Sequence, residues 1–276
     1  MIRKKKIIAR LLYHSGAVLL AVLVMVPFFW MLSTSLKSRG ALMALPIEWI
    51  PKAPVLTNYT NLFEKEGFSR SIINSLIVSL GSVCVTLMSS AMAAFAFSKI
   101  RFKGQNVLFM VYIATLMIPS QVLFIPLYLL MSELKLADNL IALILPALFK
   151  AFAIFMLRQQ MLSIPDAFME ASAIDGAGRW RTFIQIICPM CKPTLVTLAI
   201  ICFMDVWNDY LLPLVMLSTK TKFTLPVILN SLSGQYKNEY NLLMAGALIS
   251  MAPVLILYAV AQKQFASGLM VGGVKG

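Results

Sequence analysis

Long apolar runs alternate with short polar, mostly basic segments along the whole chain. Six runs stand out, near residues 12–33, 72–97, 107–131, 140–157, 193–217 and 242–262. Each is about 18 residues or longer, and a helix rising 1.5 Å per residue crosses the hydrocarbon core of a bilayer with roughly 20. The pattern predicts an all-α, polytopic membrane protein of about six transmembrane helices, forming one transmembrane domain over residues 1–276.

Composition agrees. Hydrophobic residues make up 60% and charged residues only 13%, with a mean hydropathy of +0.84. An ordinary soluble domain is about 45–50% apolar and about 25% charged. The net charge of +13 would suit a nucleic-acid binder, but the basic residues fall between apolar runs, as membrane topology requires. Arg3, Lys4, Lys5, Lys6 and Arg10 precede the first run; Lys99, Arg101 and Lys103 follow the second; Arg158, Arg179, Arg181 and Lys192 follow the fourth; Lys263 and Lys275 follow the last. This alternation places both termini in the cytoplasm. The first run is too long for the apolar part of a signal peptide, about 7–15 residues, and no small-residue cleavage site follows it. It is expected to remain as an anchor.

Two connecting segments are longer than topology demands. Residues 34–71, with Pro46, Trp49, Pro51 and Pro54, are expected outside. Residues 158–192 are expected in the cytoplasm. In the second, Ser163 and Asp166 resemble a capping box around Pro165, Ala167 to Ile174 are mostly good helix formers, and Gly176 and Gly178 supply a stop or a turn. A surface helix that merely joins two spans would read the same way.

The run Glu170-Ala171-Ser172, with Gly176, Ile186 and Pro189 beyond it, resembles the EAA loop of ATP-binding-cassette importer permeases. Glu170 to Ala177 is similar to the version in carbohydrate importers of the maltose and multiple-sugar type. Ser172 departs from the usual alanine, and Cys188 from the leucine that precedes the proline. The likeness extends to Asn74-Ser75, Arg101–Gly104, Ile118–Gln121, Ile125–Tyr128, Trp207–Tyr210, Thr224–Pro226 and the glycine-bearing end. It implies a permease subunit in a prokaryotic cell membrane, forming half of a sugar path. Its partners would be a second permease, two ATPase subunits and an extracytoplasmic sugar-binding protein. Glu170, Ala171, Ser172, Asp175, Gly176 and Ala177 would form the ATPase-coupling helix, and the tail at 263–276 would also touch the ATPases. ATP and magnesium would bind the partners, so no cofactor is expected on this chain.

The rest of the sequence fits that division of labour. No P-loop glycine–lysine pattern occurs, and no HExxH or GxSxG. Cys188 and Cys191 have CxxC spacing, but no second pair exists and the only histidine is His14. They are expected to be packing thiols, and neither a metal site nor a catalytic group is expected. Polar residues within spans are costly and tend to face a cavity or a partner helix, which makes Gln121, Lys150, Trp207, Asn208 and Asp209 candidates for the substrate path. Asp205 and Asp209 could equally sit near an interface, and Lys150 could be held in a local ion pair. The small residues of the second run, among them Ser75, Ser79, Gly81 and Ser82, suit close helix packing. A secondary transporter driven by an ion gradient is the alternative, and would be expected to show inverted repeats and broken helices.

Overall fold

The computed structural model describes residues 2–235 and 239–270, and among these every regular element is helical. In chain order they are α1 (Ile2–Ser35), α2 (Thr57–Glu64), α3 (Phe68–Lys99), α4 (Gln105–Ala114), α5 (Phe124–Glu133), α6 (Ile141–Ile144) and α7 (Ala151–Leu162). Then come α8 (Ala167–Ile174), α9 (Arg179–Thr182), α10 (Cys188–Met190), α11 (Lys192–Trp207), α12 (Leu211–Met216), α13 (Leu225–Gln235) and α14 (Tyr240–Met270). The end of the expected tail, 271–276, lies outside the described residues.

Three of the expected spans are continuous helices, at Leu12–Ser35, Phe68–Lys99 and Tyr240–Ala261. The other three are broken, and in each case the sequence supplies the cause. Gln105–Met117 meets Ser120–Glu133 at 95°. Ile118 there is extended, with ψ 118, because the ring of Pro119 forbids a helical residue before it. Ile141–Phe149 meets Ala151–Leu162 at 40°, with Lys150 extended at the joint and Pro146 lacking a donor just before it. The fifth run divides at 208–210 into α11 and α12, ahead of Pro213, which can give no hydrogen bond back to Asp209. Arg179–Met190 also joins Lys192–Trp207 at 76°.

The chain forms two compact units. The first comprises Met1–Phe68 and Leu229–Ala252. There Ser33 Oγ donates to the Trp49 carbonyl (2.6 Å), and Asn58 Nδ2 donates to the carbonyls of Ser35 and Lys37 (2.8 and 2.9 Å). These bonds fold residues 36–56 back on the end of α1. Trp30 and Trp49 meet edge to face at 5.2 Å, with the Lys37 ammonium 4.1 Å over the Trp30 ring.

The second unit comprises Ser69–Ile228 and Pro253–Gly276. Its axis is α3, whose small residues let neighbours approach closely. A Cβ on Gly81 would stand 2.8 Å from Ile144 Cδ1. Thr86 Oγ1 donates to the Ala147 carbonyl (3.0 Å), one of the acceptors in the broken fourth span. In hydrocarbon such a group needs a protein partner. One apolar core gathers Ala94, Phe95, Leu157, Phe183, Ile187 and Leu198, and a second gathers Val78, Met131, Leu143 and Met216.

Candidate functional site

The loop between α7 and α11 begins differently from the expected capping box. Ser163 is helical in backbone and its hydroxyl donates back to the Gln160 carbonyl (2.7 Å), ending α7 rather than starting α8. Asp166 makes no side-chain cap either. Its carboxylate is drawn instead to Lys99, 2.6 Å away, and the nearby ammonium holds that carboxyl below its ordinary range.

The end of α8 is the glycine-dependent part. Ala177 N–H donates to the Ser172 carbonyl (2.9 Å) and Gly176 N–H to that of Ala173 (3.1 Å). These two bonds are a complete Schellman closure. Gly176 sits at φ +73 with open space where a Cβ would be, so the backbone angle alone demands glycine. Gly178 is extended and needs no such freedom.

Glu170, Ala171, Asp175 and Gly176 are exposed, and Ala177 is half-buried. Ser172 points the other way. It is buried and shares a 2.8 Å hydroxyl–hydroxyl bond with buried Thr182, tying α8 to α9. Ser172 therefore serves the inside of the loop, and the i, i+3 spacing of a helix already separates it from the outward face of Glu170 and Ala171. Ile174, 87% exposed, and Trp180 and Phe168 add an apolar outer surface. Large apolar side chains in an otherwise polar connector were the available signal for them.

The broken spans enclose a cavity of 890 Å³ in the second unit. Gln121, Lys150, Asn208 and Asp209 all line it, joined by Ser120 and Asp205. Most of these stand at or beside a helix break: Ser120 and Gln121 after Pro119, Lys150 between the halves of the fourth span, Asn208 and Asp209 between α11 and α12; Asp205 lies within α11. Lys150 Nζ is hydrogen-bonded to Asp205 Oδ2. The Asp205 side chain is 64% exposed, so its charge faces the opening. Asn208 Nδ2 donates to the Met204 carbonyl (2.8 Å), and Asp209 Oδ1 accepts from Leu212 N–H (3.4 Å), so both also finish the helix ends they border.

Trp207 is not part of this wall. It is 1% exposed and stacked on Phe203, with ring centroids 5.6 Å apart. Phe203 and Trp207 share the inner face of α11 at i, i+4 spacing. Met204, Asp205 and Val206 of the same helix line the cavity, whereas the Trp207 ring is committed to Phe203.

Away from the cavity, Asp138 (φ +56) fastens the segment after α12. Its carboxylate accepts from Ser218 N–H, Thr219 N–H, the Thr219 hydroxyl and the Lys222 ammonium, all within 3.0 Å. These donors hold it far below the usual carboxylate range. From the other side Asn74 Nδ2 donates to the carbonyls of Thr221 and Phe223 (both 3.0 Å). Among the described residues no group of His, Cys, Asp and Glu could hold a metal ion. Cys191 is fully buried in the apolar core, with Cys188 packed against it and both thiols free.

Residues 86–270 match the family described as binding-protein-dependent transport system inner membrane components. The chain is 34% identical to the arabinooligosaccharides transport system permease protein AraQ of Bacillus subtilis, over 94% of this chain and 93% of that one. It is 32% identical to the inner membrane ABC transporter permease protein YcjP of Escherichia coli over the full length of both. It is 30% identical to the lactose transport system permease protein LacG of Rhizobium radiobacter, over 95% of each. In structure it resembles a chain of a bacterial ABC transporter that imports the acidic polysaccharide alginate, with a TM-score of 0.80, 26% identity and coverage of 92% and 96%.

Proposed function

The chain belongs to the family of binding-protein-dependent transport system inner membrane components, and on that premise we propose that it is the permease subunit of an ATP-driven carbohydrate importer, driven through α8. It is a multi-pass protein of the inner membrane. With both termini and the 158–192 loop in the cytoplasm, two ATPase subunits carrying ATP and magnesium would seat α8, while a binding protein delivers sugar to the opposite face. A second permease would complete the path. The names of the relatives support carbohydrate as cargo, since arabino-oligosaccharides, lactose and alginate all present ring hydroxyls.

One observation carries the coupling role. Helix α8 is fixed at both ends, by Lys99 at its start and by the Schellman closure and Ser172–Thr182 at its finish, yet it leaves Glu170, Ala171 and Ile174 outward. A rigid, half-clad helix of this kind suits a groove on another protein. Its outward carboxylate, Glu170, suits a basic group there. The cavity suits the cargo: amide, hydroxyl and carboxylate groups at helix breaks can hydrogen-bond sugar hydroxyls without breaking helical pairing. Broken spans alone would serve an ion-gradient transporter equally well; the family membership weighs against that reading.

The experiment is purification of the chain from its native membrane in mild detergent, with mass spectrometry of what accompanies it. A P-loop ATPase and a second permease are expected. Recovery of the chain alone, under conditions where other membrane complexes persist, would overturn the proposal. In the same preparation, Ile174→Asp should release the ATPase while leaving the second permease bound.

A further inference from the structure

Lys99 is a buried charge that neither the cavity nor the outward face of α8 requires. It closes the last turn of α3, and its side chain is only 2% exposed. The ammonium donates to the Ile164 carbonyl and to the Asp166 carboxylate, each at 2.6 Å. A buried lysine is expensive unless paired and hydrogen-bonded, and here both partners belong to the short link between α7 and α8. Around it the same elements are joined again. Arg158 of α7 donates through Nε to the Phe97 carbonyl of α3 (2.9 Å) and lies 4.0 Å over the Phe109 ring. Phe95 of α3 packs against Phe183, just beyond α9, at 5.0 Å. Ile164, next to Asp166, is itself part of the core that holds Ala94 and Phe95.

We infer that Lys99 is the positioning residue that locks the start of α8 to the end of α3, so that the loop and the second span move as one body. This rests on the importer reading, in which a push on α8 must reach the spans. Apart from the lock, α8 is held to α7 by the backbone around Pro165 and by Met169, which packs on the core shared by α3 and α7; the lock adds a charged tie from the start of α8 to the end of α3. With it, displacement of α8 is delivered directly to α3, the helix that packs on the cavity-lining fourth span through Gly81 and Thr86.

The test uses the complete purified complex in nanodiscs. Nitroxides are placed by Met92→Cys on α3 and Ala167→Cys at the start of α8, away from Ile174, in a Cys84→Ser, Cys188→Ser background. The spin–spin distance is then measured with and without ATP–vanadate trapping. The parent is expected to give one narrow distance that trapping leaves unchanged. Lys99→Met should broaden it and let it shift by roughly 2 Å or more on trapping, the scale of a helix displacement in such transitions. Lys99→Arg should restore the narrow distribution. Should Lys99→Met not assemble, Asp166→Asn, which keeps the lysine and its carbonyl bond, should still broaden the distance measurably. A narrow, unmoved distance in Lys99→Met, an unchanged width in Asp166→Asn, or a parent distance that itself shifts on trapping would overturn the lock. A preparation that traps no nucleotide would sink the importer reading instead, and the widths without vanadate would still decide the lock.

Discussion

The α8 loop and the cavity are both held in the second unit, but they are written into the chain differently. The loop is made from bonds between residues close in sequence: Ala177 to Ser172, Gly176 to Ala173, Ser172 to Thr182. The cavity is made from residues that meet only after three spans have broken and packed, such as Lys150 and Asp205, 55 positions apart. The turn that ends α8 is specified by its own residues, whereas the cavity exists only while its neighbours hold it. Substitutions in the loop should therefore cost transport more than stability, and those around the cavity should cost stability first.

The largest effect is expected at Trp207→Ala, where a fully buried ring stacked on Phe203 is lost. A destabilisation of about 3–5 kcal/mol is expected from the cavity left behind, read as thermal melting of the detergent-solubilised protein. The sugars accepted by whatever still folds should be unchanged. A variant that melts normally but changes its sugar range would return Trp207 to the path.

Lys150→Met comes next, because it leaves Asp205 without its cation. A loss on the order of 2 kcal/mol is expected, between the values for exposed and fully buried pairs. Lys150→Met with Asp205→Leu should melt closer to the parent than Lys150→Met does. If the double variant is the least stable of the three, the pair is not the source of the loss.

Gly176→Ala should cost only about 1–2 kcal/mol, the penalty of a left-handed residue with a Cβ, because no atom stands in the way. Its uptake of labelled oligosaccharide should fall well beyond what the reduced amount of protein in the membrane explains. Uptake in proportion to protein level would erase the contrast between loop and cavity.

The smallest effect concerns Asp138. Its carboxyl is held below its unfolded value, so its stabilisation is fully present above the unfolded pKa, about 3.9, and is lost as pH falls from there towards the folded value. Melting temperature should show no change from this group between neutral pH and pH 5, and a decline below about pH 4. Asp138→Asn should begin lower and decline less. Equal acid sensitivity in both would remove the clamp from the account.

What was legible in the sequence follows the same division. The six apolar runs, the loop with its glycine stop and the packing role of Cys191 rest on local pattern, and the chain states them outright. Prolines marked the bend in the third span. The inward face of Ser172 needed only helical spacing, which the likeness to alanine-bearing loops obscured. For Trp207, nothing in the sequence reveals that its ring is stacked on Phe203. Lys99 reads in the sequence as one more topological charge, since nothing nearby reveals that Ile164 and Asp166 come to meet it. The Asp138 clamp was invisible for the same reason, with its donors some 80 positions away.

The Lys150–Asp205 pair has an electrical consequence. A lone charge carried through the potential across a membrane gains or loses about 2.3 kcal/mol per 100 mV. A bare lysine at the joint of the fourth span would make every rearrangement of that joint answer to the voltage of the cell. With the Asp205 carboxylate bound to it, any movement that carries both groups displaces a dipole rather than a net charge.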